Sequence, residues 1–101
     1  MKHMVRYKLK PERVAENERY AVAVFEALKQ TRPRGLCYAT FRLADGVSFI
    51  HLVSHDEPDG ANALTSLAAF KAFAEGVKER CEEPPVRVEL TEIGSYGFFD
   101  G

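Results

Sequence analysis

The chain has 101 residues, a formal net charge of −1 and a pI of about 6.3, with 46% hydrophobic and 29% charged residues. That is one domain's length and an ordinary globular composition, which excludes disorder as the default and sets the expectation of a single domain over residues 1–101. Binding to phosphate backbones needs clustered Lys and Arg; the nearest sets, Arg6 with Lys8 and Lys10 and Arg32 with Arg34, are diluted by acids, so no nucleic-acid partner is expected.

The two cysteines, Cys37 and Cys81, are too few for a disulfide scaffold and lack C-x-x-C spacing. The three histidines, His3, His51 and His55, have no metal-ligand spacing either, so neither a metal nor another cofactor is expected. No apolar run approaches 18 residues and no secretory segment precedes the first strand. The expectation is a cytoplasmic protein without membrane contact.

In chain order, His3 to Leu9 alternates, with Val5, Tyr7 and Leu9 on one side and Met4, Arg6 and Lys8 on the other. Pro11 then suits the first turn of a helix expected from Glu12 to about Gln30, whose stripe is Val14, Ala21, Val24, Phe25 and Leu28. Arg32-Pro33-Arg34-Gly35 stops it. Leu36 to Leu43 and Val47 to Ser54 alternate around Asp45-Gly46, a strong hairpin signal. With Asp45 and Gly46 as the turn, Arg42 opposes Phe49, Thr40 opposes His51 and Tyr38 opposes Val53. The polar stretch from His55 to Asn62 reads as a loop or lid. A second helix is expected from Ser66 to Cys81, ended by Glu82-Glu83-Pro84-Pro85, and a last strand from Val86 to Ile93 before the aromatic tail of Ser95 to Phe99.

The order β-α-β-β-α-β predicts an α+β, ferredoxin-like fold, a four-stranded antiparallel sheet with two helices on one face. The face with Cys37, Ala39, Phe41, Ile50 and Leu52 is the more apolar and is assigned to the helices. The other, with Tyr38, Thr40, Arg42, Phe49, His51 and Val53, is too apolar to stay wet, so a homodimer through this sheet face is expected.

Three segments carry a family resemblance: the first strand running into Lys8-Leu9-Lys10-Pro11-Glu12, the strand Tyr38-Ala39-Thr40-Phe41-Arg42, and Phe70-Lys71-Ala72-Phe73 in the second helix. With the element order, they resemble the dimeric α+β barrel superfamily, especially its small antibiotic-biosynthesis-monooxygenase-like domains. The resemblance implies a cofactor-independent monooxygenase-like enzyme acting on a small aromatic substrate, a haem-degrading enzyme, or a small protein of no set activity. Oxygenases of that group often use an Asn, a Trp and a His or Arg, and this sequence has no Trp.

The residues allow two readings throughout. His51 and Arg42 are the catalytic candidates, His51 as proton acceptor and Arg42 as anion stabiliser. Tyr38, Phe49, Asn17 and Arg6 are the substrate-binding candidates, Asn17 because a polar group on a helix's apolar stripe must find partners or line a cavity. The plainer reading makes these residues part of a dimer interface. The function expected is the monooxygenase-like enzyme, or else a non-catalytic dimer that binds a small hydrophobic ligand or serves a stress role.

Overall fold

Alternating side chains make three pairing strands, β1 (Lys2–Leu9), β2 (Leu36–Arg42) and β3 (Ser48–His55). The structure, a computed structural model, describes residues 1–56 and 63–98, so the loop beyond Asp56 and the final tail residues lie outside the described residues. A 3-10 turn over Pro11–Arg13 leads into helix α1 (Val14–Thr31). Helices α2 (Ala68–Glu75) and α3 (Val77–Arg80) precede β4 (Cys81–Leu90). All pairings are antiparallel and the sheet order is β2-β3-β1-β4, the ferredoxin-like arrangement expected from the element order.

The β2–β3 register matches expectation: Arg42 opposes Phe49, Thr40 opposes His51 and Tyr38 opposes Val53. The turn is shifted by one residue. Gly46 N–H donates to Leu43 O at 3.0 Å and Gly46 adopts φ +80°, so Ala44 and Asp45 are its central residues. The Asp45 carboxylate accepts from the Val47 and Ser48 backbone N–H groups and from the Ser48 hydroxyl, which closes the turn.

The second half departs further from expectation. The predicted long helix breaks at Gly76, where a Cβ would stand 2.9 Å from Arg80 Nη1. Strand β4 starts five residues early and runs through Pro84 and Pro85. It is an edge strand, where missing N–H donors are tolerated. Its register against β1 shifts between Arg6 and Leu9, beside those prolines. Helix α1 ends where Arg32 turns left-handed at φ 45°, its N–H donating to Leu28 O.

The face assignment is inverted. Tyr7, Leu9, Phe49 and Val53 from the sheet pack with Val24 of α1, Phe73 of α2 and Val77 of α3. The helices therefore cover the Tyr38–His51–Val53 side, and Cys37, Ala39, Phe41, Ile50 and Leu52 face away. Phe41 is 49% exposed and Val86 59%, with Val88 and Leu90 also open. The hairpin alone made its aliphatic side look like the core. Strand β1 decides otherwise: its register sets Val5 beside His51 and Tyr7 beside Phe49, joining its apolar side to the aromatic face. Phe25 and Phe70 complete it, with Phe25 stacked on Tyr38 at 5.1 Å between centroids.

Leu9 is wholly buried in that core. Leu9→Ala is expected to cost about 2–5 kcal/mol by chemical denaturation, whereas Phe41→Ala in the isolated chain is expected to cost far less.

Candidate functional site

Five polar side chains from five elements form one buried chain under the helices. Tyr7 comes from β1, Asn17 from α1, Tyr38 from β2, His51 from β3 and Arg80 from α3. His51 sits between the two tyrosines, with Nδ1 2.6 Å from Tyr38 Oη and Nε2 2.7 Å from Tyr7 Oη. Asn17 Nδ2 donates to Tyr7 Oη at 3.0 Å, and Arg80 Nε donates to Asn17 Oδ1 at 3.0 Å. Arg80 Nη2 also donates to the Phe73 carbonyl at 2.7 Å. Buried polar groups need such partners; strand alternation supplies the tyrosines and His51, the α1 stripe supplies Asn17, and α3 supplies Arg80.

Arg80 is only 1% exposed, yet no carboxylate pairs with it among the described residues. Its guanidinium carbon lies 4.6 Å from the Tyr20 ring centroid and 5.2 Å from that of Phe73. Cation–π attraction and two hydrogen bonds thus stand in for a counter-ion. An unpaired buried cation is costly when its hydrogen bonds are removed.

Beside the chain lies a cavity of about 200 Å³. The sheet contributes Val5, Tyr7, Tyr38, His51 and Val53 to its wall, and the helices contribute Phe70, Phe73, Ala74 and Val77. His3, Leu64, Thr65 and Pro85 complete the lining. The wall is mostly apolar, with Tyr7, Tyr38 and His51 bringing hydrogen-bonded polar groups to it. An apolar cleft with a few convergent polar groups is the usual form of a small-molecule site.

Burial sets the ionisation states. It holds His51 down to about 4, so the imidazole is neutral near pH 7. It pushes the Tyr38 hydroxyl up to about 12, opposed by the Thr40 hydroxyl, which is close by but lacks hydrogen-bond geometry. Tyr7 is pushed up further by its burial, with Asn17 opposing. Both tyrosines are therefore hydroxyls, and the network holds its protons without a formal charge on the imidazole.

The expected site residues separate. His51 and Tyr38 line the cavity. Asn17, wholly buried, finds partners as its place on the stripe required, but behind Tyr7 rather than in the cavity wall. Phe49 is core, stacked on Tyr7 at 5.6 Å. Arg42 faces the helix side at the end of the hairpin, where its Nη1 pairs with Glu18 Oε1 at 2.9 Å in an exposed position; it is not part of the cavity wall. Arg6 lies on the opposite face of the sheet from His51, because β1 alternates and Val5 takes the position beside His51. Tyr7 and Arg80 are the residues sequence reasoning missed. Tyr7 had a signal, since it shares the apolar side of β1. Arg80 had none, being one more basic residue near a helix end. His3 also borders the cavity, and its ring meets His55 edge-on at 6.2 Å.

No group of three or more His, Cys, Asp or Glu that could hold a metal occurs among the described residues. No described helix is long and apolar enough to cross a membrane.

Neither a family model nor a curated protein matches the sequence. Solved structures do match. One is assigned as an antibiotic biosynthesis monooxygenase from Bacteroides thetaiotaomicron, with a TM-score of 0.78 at 16% identity, covering 92% of this chain and 89% of that one. A second, with the same assignment, is from Nitrosomonas europaea, with a TM-score of 0.74 at 16% identity over 91% of this chain and 88% of that one. A third, from Caulobacter crescentus, has a TM-score of 0.70 at 18% identity over 90% and 89%. The likeness is one of fold: the chain shares the ferredoxin-like α+β fold of these structures.

The His51 environment makes stability depend on pH. Unfolded, His51 takes up a proton near its ordinary value of 6.5; folded, it resists until about 4. Between these values the unfolded chain binds more protons, so stability falls as pH is lowered, by about 3 kcal/mol across the window. Denaturant melts at pH 7, 6, 5 and 4 are expected to show this loss. A His51→Gln variant is expected to lose most of the slope and keep the smaller part due to His3, which burial also holds down.

Proposed function

With the fold of the antibiotic-biosynthesis-monooxygenase-like barrels as premise, we propose that the chain is a cofactor-independent monooxygenase-like enzyme acting on a small, flat aromatic molecule. The observation that carries this is the apolar cavity of about 200 Å³ whose wall includes the hydrogen-bonded Tyr38–His51 pair. Its walls suit a ring system, and the pair offers a hydrogen-bonding terminus for one ring oxygen. Tyr38 and His51 are the residues proposed to meet the substrate.

The reaction class has a simple balance. An aromatic whose ring methylene is flanked by a carbonyl-conjugated system loses two hydrogens from that carbon. One oxygen atom of dioxygen becomes the new carbonyl, and the other leaves as water with both hydrogens. The substrate supplies all the electrons, so no added reductant enters the balance. The protein's part is to bind the ring, exclude water and stabilise charge on the ring oxygen as electrons leave for dioxygen.

A second reading has its own support. Both nitrogens of His51 are engaged by tyrosines, and burial holds the imidazole to about 4. A base so weak and so enclosed suits ligand binding without turnover. The alternative is a non-catalytic dimer that holds a small hydrophobic molecule.

The proposed assembly is a homodimer through the sheet face that the helices leave open. Phe41, Val86, Val88 and Leu90 together form the kind of apolar surface that a soluble chain covers with a second copy. Light scattering on the purified protein is expected to give twice the chain mass, and Val86→Lys with Val88→Lys to give the monomer. A monomeric wild type would overturn the assembly.

Oxygen-electrode assays with small hydroxylated polycyclic aromatics and anthrones are expected to show uptake matched by water-forming oxidation. Turnover should fall about 100-fold or more in His51→Ala, because the Tyr38 hydroxyl loses the partner that holds it toward the ring oxygen. Uptake no greater than that of His51→Ala across the series would remove the enzymatic reading. Native mass spectrometry of protein from cells would then support the binding reading by a retained small molecule.

A further inference from the structure

Arg80 fixes more than its own burial. A guanidinium only donates, so the Asn17 atom that meets Arg80 Nε must be the amide oxygen. The Asn17 NH2 is thereby turned to Tyr7, whose oxygen accepts from it. The Tyr7 hydroxyl hydrogen must then go elsewhere, and His51 Nε2 at 2.7 Å is its acceptor. With Nε2 accepting, the neutral imidazole carries its proton on Nδ1 and donates to Tyr38 Oη. The opposite tautomer would have Nε2–H and Asn17 both donate to Tyr7, leaving the hydroxyl hydrogen of a residue 2% exposed without an acceptor among the described residues. Such an unmade buried hydrogen bond disfavours that state by roughly tenfold or more. Every donor in the chain then points the same way, from Arg80 to Tyr38, and bonds aligned head to tail polarise one another.

We infer that Arg80 is the positioning residue that makes the Tyr38 hydroxyl a hydrogen-bond donor to whatever occupies the cavity, so that the ligand offers a neutral acceptor oxygen there, a ring carbonyl. This rests on the cavity being the ligand site, as proposed above, but not on turnover. Tyr38 Oη has accepted from His51 and its own hydrogen is uncommitted to the chain. The Thr40 hydroxyl nearby has no hydrogen-bond partner and makes no bond to it. A carbonyl oxygen entering the site accepts the Tyr38 hydrogen with no change of charge, and the burial that raises both tyrosine hydroxyls disfavours a bound anion. His51 therefore serves to hold and relay orientation, not to take the ligand's proton. Gly76 belongs to the same device, because any side chain there would crowd Arg80 Nη1.

Two measurements test this. The first is the imidazole nitrogen spectrum of His51 in uniformly 15N-labelled wild-type protein at pH 7, without ligand. The Nδ1–H form is expected, with Nε2 bare. Asn17→Asp keeps a partner for Arg80 but has no N–H to give Tyr7, so the Tyr7 hydroxyl turns to the carboxylate. In this variant His51 is expected to switch to the Nε2–H form. Arg80→Met is expected to raise the Nε2–H population about tenfold or more if it folds. Nε2–H in wild type, or no switch in Asn17→Asp, would overturn the inference. The second uses fluorenone, whose carbonyl stretch reports a donated hydrogen bond. Wild type is expected to bind it with the stretch shifted to lower frequency, and Asn17→Asp to bind it about tenfold more weakly. An unshifted carbonyl in wild type, or no binding, overturns the ligand class whatever the tautomer. A failure to consume oxygen bears only on the enzymatic reading.

Discussion

The contact between Arg80 Nε and the Asn17 amide oxygen ties the second half of the chain to the first, across 63 residues of sequence. No carboxylate pairs with Arg80 among the described residues, and both side chains are fully enclosed. Each is satisfied because the other is there. The bond fixes which way the Asn17 amide points, and the amide fixes what Tyr7 offers to His51. At the break in the second helix, Gly76 leaves open the space beside the guanidinium, where a Cβ would stand 2.9 Å from Arg80 Nη1.

This explains why the sheet puts its aromatic and polar side inward. Tyr38, His51 and Tyr7 would be poor core residues singly, each burying a group that needs a partner. Linked to Asn17 and Arg80 they satisfy one another, and their rings pack as well as aliphatic side chains against Phe25, Phe70 and Phe73. The outward face then holds Phe41, Val86, Val88 and Leu90, apolar residues with no internal partner. The cavity lies against the inward side, so its polar terminus is built from groups that also hold the fold together.

Much of this was legible in the amino-acid order. Alternation and the Asp45-Gly46 turn revealed the strands and the β2–β3 register, and the element order revealed the topology. His51 and Tyr38 stood out because an imidazole and a phenol shared one strand face, and Asn17 because it broke an apolar stripe. What could not be read was which face met the helices. That depended on β1 register, where Val5 and Tyr7 join the His51 side. Arg80 was illegible for a related reason: a buried cation shows no local pattern when its partners lie on other elements. Arg6 and Arg42 illustrate the converse. Their charge suggested chemistry, but alternation sent Arg6 to the far face and Glu18 holds Arg42 at the surface.

The most direct test is a pH titration of the His51 ring by NMR. A network that keeps the imidazole enclosed and engaged at both nitrogens predicts a neutral ring through pH 5, with protonation only toward about 4. Titration of His51 near 6.5, the value of a solvated histidine, would contradict the account, because it would place the ring in water rather than between Tyr7 and Tyr38.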